Sequence, residues 1–315
     1  MSYVPKTYRE DGGDTIHIAS GGKLQVDAGA EVVWPNPTGA VDYYVDEEAA
    51  NGGDGLSWAS SMDTIAAAVT ASNLTIASYA AKRNRIFVAG NTITEDLTVL
   101  PVQCDVIGVG HDTAGYAKPL VAGNHTIALA ALGSRFINMA FIDTDGTADL
   151  FVIPALSHGI SFLGCDFYAK AAGSAGKALE ITSCNHIRVE DCRIMVSAGA
   201  MANIFALGIS IEGTTTGIDI QILRNHITAT AGISIVEATL ATMGSLIKDN
   251  VLRTTDLAID DNSDDVQVVD NRWMTDIDTT TSTAGYDFNI ALSAGNIQMG
   301  VTGLGDAIPF TKITE

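Results

Sequence analysis

Residues 160–167 read Ile-Ser-Phe-Leu-Gly-Cys-Asp-Phe, and the arrangement of their apolar residues around Cys165 decides the fold. An apolar residue is followed three places later by Cys, Asn or Met, and two places after that by another apolar residue. The copies are Phe136/Met139/Phe141, Phe162/Cys165/Phe167, Val189/Cys192/Ile194, Ile222/Asn225/Ile227, Ile247/Asn250/Leu252 and Val268/Asn271/Trp273. Successive centres lie 26, 27, 33, 25 and 21 residues apart, the length of one turn of a solenoid.

Apolar residues alternating at period two mark a strand with one buried face. In several copies the alternation reaches back to Ile160, Ile187, Ile220 and Val266. From three residues before the centre to two after it the spacing is odd, so inward parity flips once, which a tight corner accomplishes. Asn suits that corner because it tolerates left-handed backbone and bonds neighbouring backbone groups. Stacked about 4.8 Å apart, Cys165, Cys192, Asn225, Asn250 and Asn271 are expected to form a structural ladder, the Asn residues hydrogen-bonded to one another.

A second strand falls once per turn: DLFVI at 149–153, ALEIT at 178–182, GISIEG at 208–213, GISIVEA at 232–238 and LAID at 257–260. Parallel strands around one continuous core follow. The chain therefore reads as all-β, a right-handed parallel β-helix.

Composition narrows the function. The chain has 315 residues, 47% apolar and 17% charged, enough for a sizeable core. Its net charge of −20 repels nucleic acid and anionic membrane, leaving protein or carbohydrate as partners. Cys104, Cys165, Cys184 and Cys192 include no CxxC pair, so free buried thiols are expected and zinc is not. No apolar run approaches the roughly 20 residues of a membrane-spanning helix, and no cationic, apolar leader opens the sequence.

Four regions follow. Residues 1–37 comprise a polar arm, MSYVPKTYREDGGD, and a short Gly-punctuated repeat with Ile16, Leu24 and Val32 in one register. That repeat is too short to bury a core alone, so copies from several chains burying it together, a trimeric stem, are expected. Residues 38–85 hold a first strand and a capping helix in which Ile65, Ala68 and Val69 share a side and Ser61 or Asp63 is the N-cap. Residues 86–274 form the β-helix. Beyond Trp273 the ladder is expected to cease, leaving closing strands and a tail over 275–315.

Residues 41–70 carry a family likeness in Tyr44-Val45-Asp46, Gly53-Asp54-Gly55, Leu56-Ser57-Trp58 and Thr64, Ile65 and Ala68. This stretch resembles the opening of the pectate-lyase-like β-helix superfamily, found in many phage tail-spike and virion proteins. The resemblance implies the fold; its members include both enzymes and inert virion proteins.

Tests for catalysis come out negative. Ser157, His158 and Gly159 match a small motif of the polygalacturonase family, and Asp260 with Asp261 match its paired acids, but the order is reversed. Four ladder copies separate them, roughly 19 Å at about 4.8 Å per coil, whereas glycosidase carboxyls sit about 5 to 9.5 Å apart. The loop DDNSDD at 260–265 reads as a solvated turn, and GVGHD at 108–112 lacks the Lys of a phosphate loop. No catalytic residue, metal site or cofactor is expected.

The resemblance and the bare surface together imply a non-enzymatic virion protein of a tailed phage, made in the host cytoplasm and carried on the head surface as a homotrimeric decoration or spike. Its partner is the major capsid protein or another virion protein, gripped through Tyr3, Val4, Pro5, Tyr8 and Arg9. The alternatives on this scaffold are a tail-spike polysaccharide depolymerase and a glycan-binding adhesin.

Overall fold

The structure, a computed structural model, describes residues 7–9, 16–18, 40–48, 52–76, 82–90, 92–110, 118–170, 174–196, 204–213, 219–237, 245–256, 258–261, 266–275, 286–288, 293–294 and 297–300. Two compact units divide at Gly39, two residues beyond the expected end of the N-terminal region. In the first, Thr7–Arg9 pairs antiparallel with Ile16–Ile18, bringing Tyr8 opposite His17 and Arg9 opposite Ile16. The stretch expected to be an extended arm thus contains a strand of a hairpin, and Gly12-Gly13 between the strands is a sequence suited to a turn.

The second unit is a parallel β-helix. Ten parallel strands form its first face, from Asp42–Val45, Asn84–Val88 and Cys104–Gly108 through to Val266–Val269 and Ser293–Ala294. After a corner, a second face runs from Thr92–Thr94 to Ile297–Gly300, and a third from His125–Thr126 to Tyr286–Phe288. The long strand His226–Glu237 pairs in both, so the second and third faces are one bent sheet.

The repeat sets the register. Phe136, Phe162, Val189, Ile222, Ile247 and Val268 stack in one column of paired residues, and Phe141, Phe167, Ile194, Ile227, Leu252 and Trp273 in the next. On the third face Phe151, Leu179, Ile209, Ile233 and Ile259 do the same. Pairing continues one coil beyond Trp273, where Arg272–Thr275 meets Ile297–Gly300, and in the sequence Asn296 precedes Ile297 as Asn271 precedes Arg272, so the Asn position recurs beyond the point where the ladder was expected to cease.

The left-handed corner belongs to the residue before each ladder position. Asn138, Gly164, Asp191, Arg224, Asp249 and Asp270 all have φ between 54° and 59°. This corrects the expectation that Asn itself turns the corner: its side chain is required inside. Asn250 Oδ1 accepts from the Asn225 backbone N–H at 2.8 Å and from Asn225 Nδ2 at 3.0 Å, while Asn250 Nδ2 donates to Ile222 O and to Asn271 Oδ1 at 2.9 Å each. Asn225 and Asn271 donate likewise to Val189 O and Ile247 O. In the earlier coils the thiols of Cys165 and Cys192 donate to Phe136 O and Phe162 O, the carbonyls in the same place.

Inside the Cys-bearing coils, Phe136 stacks on Phe162 at 5.3 Å and Phe141 on Phe167 at 5.6 Å, with Phe151 edge-on to Phe136, Phe141 and Phe162. His125, fully buried, lies against Phe141 and Phe151 and accepts the Leu97 N–H on Nδ1 at 3.1 Å. That bond places the proton on Nε2, which has no hydrogen-bond partner among the described residues. Burial lowers its pKa to about 4.

The open end of the solenoid is closed by the helix Ile65–Ile76, which buries Ile65, Ala68, Val69, Ser72 and Ile76. Its first turn is capped by neither Ser61 nor Asp63. Thr64 Oγ1 accepts the Ala67 N–H, and Glu95, a coil away, takes the Ile65 and Ala66 N–H groups on its two oxygens at 2.8 and 3.1 Å. A carboxylate at a helix N-terminus answers both the orphan donors and the dipole. Buried Asn84 ties the other end, donating to Ser72 and Thr75 and accepting the Val41 N–H.

Candidate functional site

The outer edge of the first strand is not left open. Tyr44 N–H donates to Gly55 O, Met62 N–H to Tyr44 O, and Asp46 N–H to Met62 O, so residues 53–62 cover the edge that would otherwise recruit another strand. Gly53 is obligatory there, since a Cβ would lie 2.2 Å from Ser60 O, and Gly55 sits at φ 74°. Asp54 Oδ1 accepts from Leu56 N–H and Ser60 Oγ, and these bonds lower its pKa. The same loop carries Trp58, 46% exposed, with its ring 4.8 Å from Tyr44; Tyr44 stacks on Phe87 at 5.5 Å, and Arg85 lies over Phe87. No shared motif marks this exterior group in the sequence, because Tyr44 and Phe87 lie on two strands and Trp58 in the loop that covers the edge.

Ionisable groups on the faces pair with the coils above and below. Arg85 grips Asp42 through two bonds of 2.8 and 2.7 Å. Asp105 is shared by Arg83 and Arg135. Buried Asp166 holds Lys118 at 2.6 Å and Arg193 bidentately, with Tyr168 Oη at 3.2 Å. Arg224 spans Asp191 and Glu190, and both carboxylates raise its pKa, Asp191 the more. Except for Lys118, which reaches Asp166 past the strand Ala140–Ile142 that lies between their coils, each pair joins neighbouring coils, because same-register outward residues lie one strand spacing apart.

The densest chemistry is on the third face. Lys177 Nζ bonds Glu180 Oε2 at 2.5 Å and also reaches Glu212, while the Lys177 N–H donates to Asp149 at 2.6 Å and Ser210 Oγ to Glu212 at 2.9 Å. Burial holds the Glu180 carboxyl above its ordinary value, opposed by Lys177 and assisted by Asp149. Glu212 is lowered, first by its bond from Lys177. One ammonium contacting both carboxylates keeps them within about 5 Å of each other, and their pKa values are pushed apart. None of these five residues belongs to a motif in the sequence. The legible signal was positional: Glu180 and Glu212 occupy outward places in ALEIT and GISIEG.

The motif residues do not converge. Ser157 Oγ accepts the Ala131 N–H and His158 Nδ1 the Asn185 N–H, both backbone duties at a corner. Asp260 lies on the third face, in line with Ser234, Ser210, Glu180 and Val152 through successive pairs, hence four coils from the turn that contains His158. Among the described residues no three His, Cys, Asp or Glu side chains gather as a metal site, and no helix is long and apolar enough to cross a membrane. All four cysteines are free and buried. Tyr8 and Arg9 lie in Thr7–Arg9; Tyr3, Val4 and Pro5 fall outside the described residues.

Neither family profiles, nor curated proteins, nor solved structures yield a match to this chain. The site is therefore read from its own geometry.

Proposed function

We propose that this chain is a non-enzymatic virion structural protein: a stiff solenoid held on a phage head through its N-terminal unit, with Tyr3, Val4, Pro5, Tyr8 and Arg9 in the contact. The observation that carries this reading is the locking of exterior charges between coils, from Asp42–Arg85 through Asp105, Asp166 and Glu190 to Arg224, which serves rigidity and leaves these groups engaged. The separate compact unit at Met1–Gly39 supports it, as does the likeness of residues 41–70 to openings of virion β-helices. A rod of this kind stabilises a shell by spanning subunit boundaries and adding buried area. Full-length protein added to undecorated heads is expected to co-sediment with them, and protein lacking residues 1–39 to remain in the supernatant. Co-sedimentation of the truncated form at the same occupancy sinks the reading.

A second reading, polysaccharide depolymerase, is favoured by one observation: two carboxyls, Glu180 raised and Glu212 lowered, share the Lys177 ammonium, which bounds the separation of the oxygens it touches at about 5 Å. In that role Glu180 is the acid and Glu212 the nucleophile. Release of reducing ends from host capsule, abolished by Glu180→Gln, would establish it over the first.

A further inference from the structure

Charge is missing from one corner of the solenoid over four consecutive coils, although later coils carry acids there, among them Glu212, Asp219 and Glu237. Between the third and first faces, four consecutive coils contribute residues 97–104, 126–134, 152–161 and 181–187, and these contain no Asp, Glu, Lys or Arg in a chain that is 17% charged. Charges return only at the borders, with Arg83 paired to Asp105 on one side and Glu212 and Asp219 in the following coil. The helix Ile65–Ile76, Ile-Ala-Ala-Ala-Val-Thr-Ala-Ser-Asn-Leu-Thr-Ile, also lacks charge and abuts the same corner, where Asn73 bonds Leu100 O and the Val102 N–H.

Within that area lie most of the large apolar side chains that the described residues expose: Leu74 at 71%, Val99 at 39%, Leu129 at 65%, Leu132 at 50% and Leu156 at 66%. Val99 is paired with Leu129 in the next coil, and Leu132 is paired with His158, two residues from Leu156, in the coil after that, which brings these side chains to one corner. Leu156 is also held at φ 67°, a conformation that is unfavourable for any residue with a branched side chain and that Gly adopts freely. Exposed aliphatic side chains gathered at one uncharged corner are a mark of an interaction surface.

Charge decides the occupant. Copies of a chain carrying −20 repel one another over most of their surface, and approach is least opposed where no charge is present. The corner offers no electrostatic handle to a partner of either sign, and the matching uncharged aliphatic surface is one that a second copy supplies. We propose that this corner is a homotypic interface through which solenoids pack side by side, with Leu129 and Leu156 at its centre and Leu74, Val99 and Leu132 around them. It involves different residues from the N-terminal stem that the sequence suggested for self-association, and it does not rest on attachment to a shell.

Sedimentation equilibrium of the purified full-length chain tests it without any virion. Wild type is expected to self-associate at micromolar concentration, and more tightly as salt is raised, because salt screens repulsion between acidic copies. The double variant Leu129→Glu/Leu156→Glu is expected to sediment at a lower oligomeric state than wild type with an unchanged far-ultraviolet circular dichroism spectrum, and Leu56→Glu, outside the corner, to behave as wild type. Should the double variant fail to fold, Leu156→Gly serves, since it removes the side chain while relieving the backbone; its dissociation constant should rise about tenfold or more with no loss of thermal stability. Three results would each overturn the interface: a monomeric wild type, an association weakened by salt, or a stoichiometry untouched in the folded corner variants.

Discussion

Coils built on Cys and coils built on Asn solve the same problem differently. Each turn leaves a carbonyl three residues before the ladder position that needs a donor from the next coil. In the earlier coils Cys165 and Cys192 answer with thiols at 3.3 and 3.4 Å, and the core beside them is filled by Phe136, Phe141, Phe151, Phe162 and Phe167. In the later coils Asn225, Asn250 and Asn271 answer with amides at 2.9 Å, and the core is Ile, Leu and Val. A thiol is a weak donor and acceptor with one sulfur for both duties, whereas an amide offers two donors and an acceptor that takes two bonds. Cohesion therefore rests on aromatic packing where the ladder is weak, and on the ladder where packing is aliphatic.

Removing one amide is the harshest way to break this symmetry. Asn250→Ala strips these partners from the Asn225 N–H and the Ile222 carbonyl at once and takes one of two bonds from Asn271 Oδ1, which keeps the Asn250 backbone N–H at 3.0 Å. With each buried orphan costing about 1–3 kcal/mol, a loss near 5 kcal/mol is expected in denaturant unfolding. A loss under about 1 kcal/mol would mean the later coils are held by their aliphatic core instead. On the other side, Phe162→Ala opens a cavity among Phe136, Phe151 and Phe167, and should cost about 4 kcal/mol, comparable with the largest aromatic truncations.

The aromatic half also contains the pH sensitivity. Folded His125 has its pKa lowered from 6.5 to about 4, so between those values the unfolded chain takes up a proton that the folded chain excludes. Stability from this group is complete above pH 6.5, falls as the pH is lowered through the window, and is constant again below about 4. The drop is roughly 3 kcal/mol. Melting His125→Leu beside wild type from pH 7 to 4 should show a shallower slope in the variant; parallel curves would contradict the buried, neutral imidazole. Smallest of all is Cys192→Ser, expected to cost about 1 kcal/mol because the hydroxyl keeps the hydrogen-bonding pattern on a shorter bond. A larger loss than that for Phe162→Ala would reverse the comparison between the two halves.

Much of this was legible beforehand. Period-two alternation placed the strands of six coils and their register, since a slip by one residue would expose every inward side chain. The ladder residues follow from the same pattern, the free cysteines from the lack of a CxxC pair, and the helix at the open end from Ile65, Ala68 and Val69 sharing a side. What escaped notice was whatever depends on neighbours in space. Glu95 caps a helix about thirty residues before it, the left-handed corner falls one residue before the Asn, and strand pairing runs one coil past Trp273. The Lys177, Glu180 and Glu212 group and the Tyr44, Trp58 and Phe87 group unite residues with no shared motif. On the acid motifs, the predicted separation of His158 and Asp260 by four coils matches the pairing.

Sequence alone determined that this chain coils, how long each turn is and which side chains enter the core, because burial of a periodic apolar set admits one register. Only the tertiary structure decided which exterior groups meet, since residues a full turn apart in the chain become neighbours one strand spacing apart. That is why the ion pairs, the divided carboxylates and the uncharged leucine corner appear when the coils are stacked, and not before.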